Sequence, residues 1–244
     1  MKMMERRRVI MTQGGGHPEP VHGTWADLFR AIDEGTYASE YSVGEVFPLD
    51  LGTEGVVNAQ IAGFNKDAKA DGTGNAPVSF ITQYVLTSTH RFNPNLAGET
   101  GERTEGTGTI GGWPQSEIRT WLDTYVKPLF PANILGRMVQ VTKYSRGYTT
   151  AEANNNNISS DDYLWVPSNK EVNNTNESSH ATHYSQLFTS TSAKIRTSPN
   201  GTARLWGLRS ANSTSQFKSM TASGGGRSDG VTTSVRWVVG FCIA

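Results

Sequence analysis

Apolar residues recur along this chain at two spacings, and each predicts a different element. Trp25, Leu28, Phe29 and Ile32 fall at helical intervals, predicting an amphipathic helix. Thr24 and Asp27 form a capping-box pattern at its start, and Gly35 stops it. A second stripe, Ile118, Trp121, Leu122 and Tyr125, opens at Pro114 and is terminated by Pro128. Both aromatic stripes read as packing faces. Ser168 with Glu171 gives another capping box, for a short helix.

Alternation of period two marks the strands. Val46–Leu49 and Val56–Gly63 flank a turn at Gly52–Gly55, and Val78–Leu86 begins as a third strand, with a helical turn at its end left open. Met138–Lys143 alternates in the same way, and Leu164–Pro167 reads as a short buried strand. Pro199-Asn200-Gly201 is a hairpin turn between Ala193–Thr197 and Thr202–Leu208. The strand Arg204–Ser210 then enters a long polar segment, Ala211–Thr233, and Val235–Ile243 closes the chain.

Between these elements the pattern is polar and rich in glycine. Residues 1–23 read as a flexible arm or connector to a larger assembly, leaving 24–244 as one domain. Asp67–Asn75, Gly98–Gly112, Ala153–Ser160 with its four asparagines, and Asn173–Tyr184 read as loops. A chain of 244 residues buries enough surface to fold without disulfides.

Composition narrows the function classes. Twenty-two basic and 22 acidic residues cancel, so charge directs the chain toward neither nucleic acid nor an anionic membrane. No apolar run is long enough to span a bilayer, and Met1–Met11 lacks the core of a signal peptide. The expectation is a chain made in the cytoplasm and, if displayed outside a cell, carried there on a released particle. The single cysteine, Cys242, excludes an internal disulfide and sits in an apolar run as a small buried hydrophobe.

Candidate chemistry is sparse. His180 and His183 have the spacing of helical metal ligands but lie in a Ser/Asn-rich loop without matching carboxylates. Asp67 and Asp71 lack the ligand alternation and closing glutamate of a calcium loop, and Asp161-Asp162 is a weak alternative. Nucleotide-binding and hydrolase motifs do not occur. The expectation is a protein with no catalytic residues, metal or cofactor. Asn212–Ser228 is different: adaptable polar residues surround Phe217, Met220, Lys218 and Arg227, a composition that suits recognition loops. Composition alone leaves an ordinary flexible connection equally open.

Several motifs occur in order: Leu49-Asp50-Leu51-Gly52-Thr53-Glu54-Gly55, Gln60–Phe64, Gly111-Gly112-Trp113, Glu117–Leu122, Leu164–Ser168, Trp206–Ser210 and Gly240–Ile243. Together, over roughly Thr24 to Ala244, they resemble a family of uncharacterised domains from gut bacteria, their phages and prophages. The closing pattern also resembles C-type-lectin-like folds, shared by formylglycine-generating-enzyme-like domains and the variable proteins of diversity-generating retroelements. The resemblance implies an α+β, C-type-lectin-like fold, two main helices on a twisted, mainly antiparallel sheet with long loops. It carries over neither the paired catalytic cysteines of the first relatives nor a lectin calcium motif.

The implied function is a non-enzymatic, phage- or prophage-encoded receptor-binding protein or adhesin, with a retroelement-diversified C-terminal surface. Its partners would be a host-surface protein or glycan and, through the arm, virion or tail components. The expected recognition residues are Arg204, Trp206, Arg209, Asn212, Ser213, Thr214, Ser215, Gln216, Phe217, Lys218, Ser219, Arg227, Ser228, Asp229 and Arg236. Trp25, Trp113, Trp121 and Trp165 are expected in the core, while Trp206 could face core or ligand. A glycan-acting hydrolase, needing two converging carboxylates, and a structural particle protein remain the rival readings.

Overall fold

The last strand of the chain runs through the middle of its largest sheet. In the computed structural model, which describes residues 23–93, 108–109, 111–148, 154–177 and 180–244, six short strands build this sheet. They are β1 (Val46–Phe47), β2 (Ala59–Phe64), β3 (Val78–Thr82), β4 (Met138–Val139), β7 (Leu164–Trp165) and β13 (Gly240–Ile243). The order is β1-β2-β3-β13-β4, with β7 also paired to β13, and every pairing is antiparallel. The arm through residue 22 and most of the Gly98–Gly112 segment lie outside the described residues.

Alternation along β13 sends its side chains to two unlike environments. Phe241, opposite Phe80 of β3, stacks on it with ring centroids 5.0 Å apart. Over this face lies α1 (Trp25–Asp33), whose Trp25 ring meets Phe47, Phe80 and Phe241. Its capping box forms as expected: Asp27 N–H donates to the Thr24 hydroxyl, and Thr24 N–H donates to the Asp27 carboxylate. Trp25 stays half-buried, because its indole N–H donates to the Pro48 carbonyl at 2.8 Å near the surface. Cys242, opposite Ser79, points to the other face, where polar groups are buried.

The remaining helices are short: α2 (Tyr37–Glu40), α3 (Glu117–Trp121), α4 (Ala132–Leu135) and α5 (Asn169–Asn173). Pro114 opens a 3-10 turn rather than α3, whose cap is Ser116; Arg119 N–H donates to its hydroxyl. Pro128 does not terminate the helical stretch. It sits inside a 3-10 turn, Lys127–Leu129, that follows a π turn at Leu122–Val126. Trp121 is half-buried, stacked between His90 and Tyr125.

Three smaller antiparallel sheets complete the α+β fold. β5 (Val141–Tyr148) pairs with β6 (Asn154–Asp162), so the asparagine-rich segment expected as a loop is largely a strand. Ladder bonds from β5 override the low strand preference of asparagine. β8 (Arg196–Thr197) and β9 (Ala203–Arg204) form the hairpin around Pro199-Asn200-Gly201, with Gly201 at φ +83° as the turn requires. The third sheet is a ribbon of β10 (Trp206–Ala211), β11 (Gln216–Met220) and β12 (Gly226–Gly230). Ala211–Thr233 is therefore not a long loop: it contains two paired strands and their connections.

Trp113, Trp165, Trp206 and Trp237 are each fully buried. Trp206 thus belongs to the core, with its indole N–H donating to the Lys194 carbonyl at 3.1 Å. Among the described residues no helix is long and apolar enough to cross a membrane.

Candidate functional site

The ribbon places the expected recognition residues on two opposed sides. In β11, Phe217 and Ser219 point inward while Gln216 and Lys218 point outward, as period-two alternation requires. Phe217 stacks on Phe92 at 5.3 Å and on Trp237 at 5.6 Å, completely shielded from solvent. Its cross-strand neighbour Asp229 is also buried; it accepts hydrogen bonds from Ser219 Oγ and, at 2.5 Å, from Arg227 Nη2. Trp206, Arg209, Phe217, Ser219 and Asp229 are consequently packed inside and cannot touch a ligand. The expectation that they form the recognition surface is corrected: they hold up the ribbon from beneath.

What remains outside is polar. Gln216 and Arg227 are exposed, and Lys218 and Ser228, paired across β11 and β12, are partly exposed with Lys218 Nζ 3.3 Å from Ser228 Oγ. Asn212, Ser213, Thr214 and Ser215 form the half-exposed β10–β11 connection. That connection is anchored by buried Thr109, whose N–H donates to Thr214 O at 2.9 Å and whose hydroxyl donates to Ser213 O at 2.6 Å. Arg204 donates to Ser198 Oγ, while Arg236 donates to the Leu86 and Thr87 carbonyls at the far side of the hairpin. Arg236 thus braces backbone and Arg204 a hairpin side chain, and neither is bonded to the ribbon's outer row.

Beneath the ribbon lies a charged network that the motif reading did not anticipate. Arg209 Nη1 donates to Glu171 Oε2 at 2.6 Å, and Lys143 Nζ donates to Glu171 Oε1 at 2.7 Å and to Asp67 Oδ1 at 2.6 Å. All four side chains are essentially inaccessible to water. The other oxygen of Asp67 accepts from Tyr184 at 2.7 Å and Ser79 at 2.5 Å, with the Cys242 thiol at 3.5 Å. Lys143 Nζ also sits 3.6 Å from the Trp165 ring centroid, a cation–π contact in a dry setting.

Burial opposes ionisation of each of these groups, yet the pairing outweighs it. Asp67 is held below the usual carboxylate range by Lys143, and Glu171 by Arg209 and Lys143. Lys143 is pushed up by Asp67 and Glu171, and Arg209 by Glu171. Burial, reinforced by Asp67, pushes both the Cys242 thiol and the Tyr184 phenol well up. Cys242 therefore stays an unreactive thiol. Two cations matched to two anions make a structural clamp, joining β5, α5, β10 and the segment after β2.

Asp67, Lys143 and Glu171 line a recess of about 100 Å³, together with Lys66, Thr142 and His180. Asp67 is fully engaged there by Lys143, Ser79 and Tyr184, which argues against the calcium reading of that segment. Asp71 bonds the backbone and hydroxyl of Thr73. Among the described residues, no group of three His, Cys, Asp or Glu side chains is placed to hold a metal ion. A signal for the network did exist in the sequence. Val141, Lys143, Ser145 and Gly147 occupy the buried register of β5, so the alternation itself points Lys143 inward.

Residues 79–243 match a family described as a domain of unknown function, DUF6273. The chain belongs to that family. The matched span runs from β3 to β13, taking in the whole ribbon with Lys143, Glu171 and Arg209, while α1, β1, β2 and Asp67 precede it. No curated protein and no solved structure matches the chain.

Proposed function

We propose that this member of the DUF6273 family is a non-enzymatic recognition module that presents the outer row of its β10–β12 ribbon to a partner. The observation that carries the reading is the two-sidedness of β11–β12. Phe217, Ser219 and Asp229 are fixed in the core, while Gln216, Lys218 and Ser228 face outward. A strand-borne row fixed from below loses little conformational entropy on binding, which suits a recognition surface. Without an exposed aromatic in the row, contact would be polar and wet rather than anchored by a hot-spot ring.

The C-type-lectin-like fold is part of this proposal. Its support is the sequence resemblance together with the order of elements: the Trp206–Ser210 strand, a projecting segment, then the Gly240–Ile243 strand at the centre of the sheet. So are a phage or prophage origin, attachment to a particle through residues 1–23, and a host-surface protein or glycan as the target. Retroelement diversification is compatible with packing at Asn212–Gln216, Lys218 and Ser228, which lie outside the core, whereas Arg227 pairs with buried Asp229.

The test is binding of labelled protein to intact gut bacteria and to an array of bacterial surface glycans. The triple variant Gln216→Ala/Lys218→Ala/Ser228→Ala should lose binding while its melting temperature stays unchanged. Retained binding, or release of sugars from the arrayed glycans, would overturn the proposal.

A further inference from the structure

The ribbon has one bound edge and one bare edge. At β10, Gly207 N–H donates to the Arg236 carbonyl and Arg209 N–H to the Pro167 carbonyl, so the body of the domain holds that side. β12 borders β11 alone. Its register is regular over five pairs, from Gln216↔Gly230 to Met220↔Gly226. Just beyond it, Val231 N–H points to β11, donating to the Ser215 carbonyl at 3.0 Å. Backbone groups of successive residues point to opposite sides of a strand. Arg227 and Asp229 therefore face β11, while Gly226, Ser228 and Gly230 face away. Among the described residues, neither the N–H nor the C=O of Gly226 and Ser228 has a hydrogen-bond partner, and nor does Gly230 N–H.

Folded proteins commonly guard such an edge with lysine, proline, a bulge or a covering segment. β12 reads Gly226-Arg227-Ser228-Asp229-Gly230 and has no lysine, proline or bulge. Gly226 is exposed, its φ is not positive, and a Cβ built on it would meet nothing within 4 Å. Nothing in its own chain requires glycine there. Glycine within a strand often marks the close approach of another backbone.

The order of residues indicates whose backbone. Turned antiparallel to itself about a two-fold axis at Ser228, the strand is self-complementary. Gly226 then faces Gly230 of the second copy, Ser228 faces Ser228, and Arg227 faces Asp229. The bare groups make four hydrogen bonds: two between the serines, and one from each Gly230 N–H to the opposite Gly226 carbonyl. Arg227 and Asp229 fall at the non-hydrogen-bonded positions, where opposed side chains come closest. Each Arg227, half-exposed beside its own Asp229, gains a second carboxylate. Sliding the pairing by two residues would instead oppose Arg227 to Arg227 or Asp229 to Asp229, so charge selects this register.

We infer that the bare edge of β12 is the interface for a second copy of this chain. Pairing there joins two ribbons into one six-stranded antiparallel sheet, with both outer rows on a shared face. Association is read without any ligand, so its failure and the failure of the recognition reading are separate results.

Sedimentation velocity of the full chain from about 1 to about 100 μM should show a monomer–dimer equilibrium, since a small edge interface gives micromolar rather than nanomolar affinity. Ser228→Lys sets two ammonium groups against each other at the axis and should weaken dimerisation about tenfold or more, with the monomer's melting temperature unchanged. Cysteine cross-linking tests the register. Across the axis the two Ser228 Cα atoms would lie about 5.5 Å apart, within disulfide reach, whereas the two Lys218 Cα atoms would be three strand spacings apart, about 14 Å. Cys242 is buried, so the introduced thiol is the reactive one. Mild oxidation should give a covalent dimer of Ser228→Cys and little of Lys218→Cys, although both side chains face outward. A monomer throughout the concentration range, undiminished association of Ser228→Lys, or equal cross-linking of the two cysteine variants would overturn the inference.

Discussion

Arg209 and Glu171 meet at 2.6 Å with neither side chain open to water, and this contact fastens the first strand of the C-terminal ribbon to helix α5. Arg209 Nη1 also donates to the Val166 carbonyl, Nη2 to the Tyr144 carbonyl, and Arg209 N–H to the Pro167 carbonyl. One side chain thus ties β10 to β5, to α5 and to the backbone just after β7. The residue that composition offers as a ligand contact is a keystone of the frame.

Removing Arg209 should therefore cost stability. Arg209→Ala strands the Glu171 carboxylate with Lys143 alone and should destabilise by about 3–5 kcal/mol, as for other broken buried pairs. The double variant Arg209→Met/Glu171→Gln should recover part of that loss, because it removes the desolvated charges together. Urea unfolding measures both. A loss under about 1 kcal/mol for Arg209→Ala would show that the contact is dispensable.

Phe217 and Lys218 are adjacent in sequence but should respond oppositely. Phe217→Ala empties the space between Phe92 and Trp237 and should cost about 3–5 kcal/mol. Lys218→Ala should stay within about 0.5 kcal/mol, since its ammonium reaches only Ser228 at 3.3 Å. Comparable melting temperatures for the two variants would contradict the sidedness on which the recognition proposal stands.

Much of the frame was legible in the sequence because its signals are local. The capping boxes at Thr24/Asp27 and Ser168/Glu171 both form, and the Pro199-Asn200-Gly201 hairpin closes as its residue types require. The ribbon was not legible, because Phe217 alternates inward with polar Ser219 and Asp229. Ser219 and Asp229 satisfy each other by a hydrogen bond, so burial there leaves no hydrophobic alternation to read. The same reason hid the Asp67–Lys143–Glu171–Arg209 network. Alternation along β5 marks Lys143 as inward, but the partners that make ionic side chains compatible with the interior come from distant segments, and no local pattern reports them.

Glu177 supplies a pH signature. Its carboxyl is pushed up, chiefly by burial, with the hydrogen bond from Ser210 Oγ opposing the shift. A folded pKa above the unfolded one means that Glu177 contributes stability below the unfolded pKa and loses it as pH rises through the folded value. Glu177→Gln keeps the acceptor for Ser210 and removes the titration. It should therefore be more stable than wild type near pH 8, with the gap closing toward about pH 4. Paired chemical melts at the two pH values test this, and a gap that widens in acid would reverse the sign.

Gly240 sets how closely β13 can approach β7. It pairs with Trp165, and a Cβ built on it would lie 2.3 Å from the Trp165 ring. That ring cannot simply swing aside, because its faces carry Lys143 Nζ at 3.6 Å and Tyr184, stacked at 5.9 Å. Gly240→Ala should then cost at least the roughly 1–3 kcal/mol typical of overpacking, through displaced rings. It should also loosen the charged network, seen as a rise in Trp165 fluorescence quenching and in hydrogen exchange along β5. Gly136→Ala, whose added carbon would meet only the Ala132 carbonyl at 3.4 Å, is the matched control and should change stability little. If the two alanine variants melted together, the close approach of β13 to Trp165 would not be what holds that corner of the sheet.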